Sequence, residues 1–192
     1  YRLAAPDEIS FKPLGMEEKL TLGQILERHP KGIQYGGIVN SFRKYPMLLD
    51  SMDRVLSFPP IINSADIGEV KTSTTTVLIE VTGTDLRMVN LTLNILAVSL
   101  YDRGAEIDPV LVRYPYDTEF GRNVTFPREN RSSIRLSLDR FSRALGEEVG
   151  LTDLKKRLAA YGHLVTAAKG TVTVVYPPYR DDVMHAMDMV ED

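Results

Sequence analysis

The chain has 192 residues, a formal net charge of −3 and no cysteine, a length that accommodates one large domain or two small ones with a hydrophobic core. The absent thiols exclude disulfides, thiolate nucleophiles and cysteine-ligated zinc, and the acidic balance argues against a protein that holds nucleic acid through bulk charge, while saying nothing of local patches. No apolar run reaches the roughly 20 residues of a membrane helix and no signal peptide is visible, so a cytoplasmic protein with no membrane association is expected.

In chain order, Thr21 is placed to cap a helix that carries Leu22, Ile25 and Leu26 on one face and stops at Pro30. Residues 31–45 read as a second helix weakened by Gly36 and Gly37. Residues 47–49 and 55–58 flank the polar turn Asp50-Ser51-Met52-Asp53, a β-hairpin signal, and Pro59-Pro60 ends the second strand because neither proline can donate to a ladder. The β-branched run 74–82 reads as the clearest strand, with Glu80 and Thr82 on one face. Asp85 then caps a long helix to about Tyr101, with Leu86, Val89, Leu93, Leu96 and Leu100 at helical spacing and Gly104 just beyond. Residues 110–112 make a further strand.

From about Asp117 the composition turns arginine-rich, with Arg122, Arg128, Arg131, Arg135, Arg140 and Arg143 close together. A domain boundary is expected there, giving domains 1–116 and 117–192. In the second, residues 137–145 and 152–161 read as short helices ending at Gly146 and Gly162, and residues 171–176 as a strand. The expected class is α+β: a first domain of helices with an antiparallel or mixed sheet, then a small α+β domain like a winged helix or other nucleic-acid-binding module. The chain opens on Tyr1 without methionine and closes on a carboxylate run, which reads as a piece of something longer.

His29, His163 and His185 lack metal-ligand spacing, and no glycine-rich phosphate loop is present. Ser57, Asn63, Glu80, Thr82, Thr84 and Asp85 lie near chain reversals or prolines, where they could converge on a concavity lined by Leu48, Phe58 and Ile61. The plainer alternative makes Asp85 a helix cap and Glu80 part of a solvated face. Near the C-terminus Asp188 stands three residues before Glu191 and four before Asp192, so on a helix the three share a face. A hard divalent cation would relieve their repulsion; a solvated helix end is the alternative.

His29-Pro30-Lys31-Gly32, Tyr45-Pro46, Val55-Leu56-Ser57-Phe58-Pro59-Pro60-Ile61-Ile62-Asn63-Ser64 and Glu80-Val81-Thr82-Gly83-Thr84-Asp85 resemble the editing domain of an archaeal or eukaryotic-cytosolic phenylalanyl-tRNA synthetase beta subunit, and His29-Pro30-Lys31-Gly32 favours the archaeal type. Pro177-Pro178-Tyr179-Arg180-Asp181-Asp182 and Val190-Glu191-Asp192 resemble the end of the following domain. The resemblance implies hydrolysis of tyrosine mischarged onto phenylalanine tRNA, with Leu48, Ser57, Glu80 and Thr82 as pocket residues. It also implies magnesium at the interface with the alpha subunit, its ligand pattern falling on Asp182, Asp188, Glu191 and Asp192. ATP and phenylalanylation would belong to the parent heterotetramer and not to this piece. Two other readings are a non-catalytic module that positions tRNA through the arginine-rich stretch and Lys155-Lys156-Arg157, and a structural spacer.

Overall fold

The structure is a computed structural model describing residues 1–128 and 131–192. Packing divides the chain into two units, residues 1–82 and 83–192. Both are α+β, built from short helices and small antiparallel sheets. Among the described residues no helix is long and apolar enough to cross a membrane.

The first unit carries β1 (Arg2–Ala4), β2 (Ser10–Phe11), β3 (Leu20–Thr21), α1 (Leu22–Arg28), α2 (Pro30–Tyr35), a 3-10 turn (Gly36–Ile38), β4 (Tyr45–Leu49), β5 (Val55–Phe58) and β6 (Ile62–Asn63). Thr21 and Gln24 form a reciprocal capping box at the start of α1, satisfying amides that a helix start leaves without partners. Pro30 not only stops α1 but occupies the first turn of α2, where its missing N–H costs nothing. The two helices pack so tightly that a Cβ at Gly32 would sit 1.9 Å from the Ile25 carbonyl oxygen. Strands order as β1-β4-β5-β6, all antiparallel. Leu22, Ile25, Met47 and Phe58 fill the core, and the Tyr45 and Phe58 rings stack with centroids 5.6 Å apart.

Two expectations fail in this unit. The helix expected over 31–45 ends at Tyr35, because the glycine pair lowers helix propensity and Tyr45 gains more by burying its ring in the sheet. Residues 74–82 form no strand: the run has no regular structure and is largely exposed, with no ladder partner among the described residues. A β-branched composition reflects fit to a pleated, half-buried surface, and here there is no such surface to fit.

The second unit carries α3 (Leu86–Tyr101), β7 (Val110–Arg113), β8 (Asn123–Phe126), β9 (Ser132–Ser137), α4 (Leu138–Leu145), α5 (Leu151–Ala160), β10 (Leu164–Ala168), β11 (Thr171–Tyr176) and α6 (Asp188–Glu191). β7 and β8 form an antiparallel ribbon, and β10-β11-β9 an antiparallel sheet. Ser137 caps α4 and Gly146 ends it in the left-handed conformation. Phe141, Leu154, Leu158, Val172, Val174 and Met189 make the core beneath α4 and α5. α3 and the β7–β8 ribbon cluster with this unit, although the shift in composition falls near residue 117. α3 itself departs from the leucine periodicity. Its fully buried residues are Asn90 and Asn94, whose amides both donate to the Arg128 carbonyl, at 3.5 and 3.0 Å, while Leu96 stays 40% exposed.

Candidate functional site

Ser57 lies at the centre of a row. Its Cα pairs with Leu48 on β4 and with Asn63 on β6, and the pleat directs directly paired residues to one face of the sheet. Three of the expected pocket residues are therefore brought together by strand register. Ser57 is only 8% exposed, and its hydroxyl has no hydrogen-bond partner among the described residues. A buried, unsatisfied hydroxyl is costly, and such groups in a folded protein call for a reason.

Asn63 is fixed from the far side, where its Nδ2 donates to the Gly68 carbonyl at 3.1 Å. Gly68 can approach only because it has no side chain: a Cβ there would lie 2.6 Å from the Leu56 carbonyl oxygen and 2.8 Å from the Cβ of Asn63. Sequence reasoning misses Gly68, since a glycine after Asp66 and Ile67 reads as an ordinary loop residue.

Glu80 and Thr82 are exposed on the irregular run that follows the sheet in sequence. The Glu80 carboxylate accepts a hydrogen bond from the Tyr1 phenol. Thr84 and Asp85 belong to the second unit, where Thr84 is exposed and Asp85 caps α3 by accepting from the Met88 N–H at 3.0 Å. Asp85 is thus a structural cap.

The C-terminal acids are individually engaged. Arg180 donates from Nε and Nη2 to the two oxygens of Asp182, both at 2.7 Å, and from Nη1 and Nη2 to Asp192 at 2.9 and 3.2 Å. His163, its side chain fully buried, meets Asp192 Oδ2 through Nε2 at 2.8 Å. Asp188 accepts from the backbone N–H groups of Met184 and His185, and Glu191 is exposed on α6. Hydrogen bonds donated to Asp182 and Asp192 hold the guanidinium firmly charged. Burial pushes the Asp192 carboxyl up, but Arg180 and His163 outweigh it and the group ends below its ordinary value; Arg180 also lowers Asp182. Among the described residues no three acids or histidines converge as ligands for a metal ion. The expected magnesium ligands therefore do not fit that ion in this arrangement. Sequence reasoning misses Arg180 and His163, although an arginine two residues before an aspartate is a visible signal.

Comparison with known proteins gives the chain a family. Residues 134–192 match the model described as the tRNA synthetase B5 domain. The chain is 42% identical over 192 residues to the phenylalanine–tRNA ligase beta subunit of Thermococcus gammatolerans, covering all of this chain and 33% of that protein. It is 39% identical over 186 residues to the beta subunit of Borrelia recurrentis, covering 96% of this chain and 33% of that protein. The chain belongs to the phenylalanyl-tRNA synthetase beta-subunit family. A crystal structure of an N-terminal fragment of the beta subunit from Pyrococcus horikoshii superposes with a TM-score of 0.84 at 35% identity, covering 98% of this chain and 53% of that one. The chain spans about a third of the length of the curated beta subunits it matches. Those relatives come from Borrelia and Treponema as well as Thermococcus and Pyrococcus, so within the family the archaeal branch is not singled out.

Proposed function

We propose that this piece of a beta subunit performs hydrolytic editing, in which water cleaves the ester joining a mistaken tyrosine to phenylalanine tRNA and releases free tyrosine and tRNA. The observation that carries the reading is the buried, unpartnered Ser57 hydroxyl between Leu48 and Asn63. In this reading Leu48 packs the aromatic ring, Ser57 and Thr82 orient the ester or the attacking water, and Glu80 accepts the phenolic hydrogen bond, as it does from Tyr1. Recognition through a hydroxyl discriminates better than a missing methylene does, because the analogue leaves a polar group unpaired. None of these side chains is an activated nucleophile, so positioning and electrostatics carry the rate.

The editing role is placed on residues 1–116 and the nucleic-acid-facing role on the winged-helix-like part, residues 117–192. ATP-dependent phenylalanylation, the alpha-subunit partner and the magnesium belong in this reading to the cytoplasmic parent ligase. The test is deacylation of tyrosyl-phenylalanine tRNA by the chain and by a full-length beta subunit with its alpha partner, with Ser57→Ala and Glu80→Gln beside each. Loss of rate in both variants supports the reading, and unchanged rates in both remove these residues from it.

A second reading, a tRNA-positioning module, draws on exposed Arg135, Arg140, Lys155 and Lys156. It predicts affinity that falls steeply with salt and no ester cleavage.

A further inference from the structure

Two of the C-terminal carboxylates that spacing and resemblance assign to a divalent cation, Asp182 and Asp192, already share a counter-ion from inside the chain. We propose that Arg180 is a built-in counter-ion, and that its guanidinium and a divalent cation exclude one another from Asp182 and Asp192. This inference stands independently of the editing reading.

The geometry leaves no room for both. The planar fork grips each carboxylate with two N–H groups, all four contacts between 2.7 and 3.2 Å, the bidentate match that makes arginine–carboxylate pairing directional. Arg180 and Asp192 are only 18% and 17% exposed in their side chains, so water screens the pair weakly. A divalent ion on either carboxylate would then stand against a fixed positive charge a few ångströms away. Arginine cannot relieve that repulsion by losing its proton, so the side chain must leave. His163 reinforces the clasp by binding the same Asp192 oxygen that Arg180 Nη1 binds. Asp188 has committed Oδ2 to two backbone amides, which further reduces the oxygens available to an ion that prefers six or more. Any surface that brings a divalent cation to this end of the chain must therefore displace Arg180, coupling ion binding to release of a guanidinium.

The experiment titrates the chain with manganese, followed by the free-ion paramagnetic signal, and measures the thermal midpoint in EDTA and in magnesium. Wild type should bind weakly and melt at the same temperature in both. Arg180→Gln should bind manganese at least about tenfold more tightly and gain thermal stability from magnesium, as expected when the largely buried Asp192 and its more exposed neighbour Asp182 lose their shared cation. Arg180→Lys, which keeps the charge, should stay near wild type. Equal manganese affinity in wild type and Arg180→Gln overturns the proposal. If Arg180→Gln does not fold, the Arg180 Nε–H resonance of wild type decides: manganese or magnesium binding that leaves this proton protected overturns exclusion, and binding that exposes it in step, or no binding at millimolar ion, upholds it.

Discussion

The phenol of Tyr1 donates a hydrogen bond to the carboxylate of Glu80, 79 residues along the chain. The contact pairs a phenol with the residue proposed above to recognise the phenol of a mischarged tyrosine. If Glu80 receives the substrate phenol, Tyr1 competes for it. Tyr1→Phe should raise the rate of tyrosyl ester hydrolysis about twofold to fivefold, the low end of what a hydrogen bond contributes, because the contact is exposed. Steady-state deacylation checks this, with Tyr1→Phe/Glu80→Gln as the control in which the gain disappears.

Ser57→Ala separates a structural from a chemical role for the buried hydroxyl. Removing an unsatisfied polar group should leave stability unchanged or raise it by up to about 1 kcal/mol, whereas ester cleavage should drop. Urea denaturation and deacylation of the same preparation give both readouts. A fall in stability of more than about 1 kcal/mol would mean the hydroxyl has a partner in solution.

Gly68→Ala tests the support behind Asn63. The added Cβ meets two backbone carbonyls and another Cβ, none of which is the movable end of a side chain. Overpacking of this kind costs about 1–3 kcal/mol, and the cost should appear in chemical denaturation of the first unit.

Asp50 gives a pH dependence with a definite sign. One carboxylate oxygen accepts from the Met52 and Arg54 amides, both at 2.9 Å, and the other from Arg54 Nε at 2.7 Å, closing the β4–β5 turn. Led by the Arg54 amide, these bonds hold the Asp50 carboxyl below its ordinary value. A lowered folded value means that the stabilisation is complete above about pH 4, where the unfolded group is also ionised. It is lost as pH falls through the folded value. The stability difference between wild type and Asp50→Ala should accordingly be constant near neutrality and shrink in acid, as read from denaturation curves at several pH values.

Local signals carried much of this fold. Thr21 three residues before Gln24, the polar turn at Asp50, and Ser137 and Gly146 at the two ends of α4 each encode a boundary through hydrogen bonds made within a few residues. The failures share a different cause. Residues 74–82 have strand composition, but a strand exists only where another supplies its ladder, and composition cannot report that. α3 has leucine periodicity, yet the deeply buried positions are Asn90 and Asn94, where a distant carbonyl at Arg128 accepts from both side-chain NH2 groups. In the candidate site, the row Leu48–Ser57–Asn63 depends on a register that the hairpin sets for its first pair only. The Arg180 clasp depends on His163 and Asp192, separated by 29 residues.

His29 closes α1, its N–H reaching the Ile25 carbonyl, and opens α2, its Nδ1 accepting from the Lys31 N–H at 3.1 Å. Its Nε2 lies 3.0 Å from the Leu14 carbonyl, which can only accept, so the ring donates there. One imidazole thus replaces a loop, and the joint has no slack. A single residue inserted after it would swing α2 by about 100° about its axis. That would carry Gly32 off the Ile25 carbonyl it was small enough to meet, so length variation among relatives should avoid this corner.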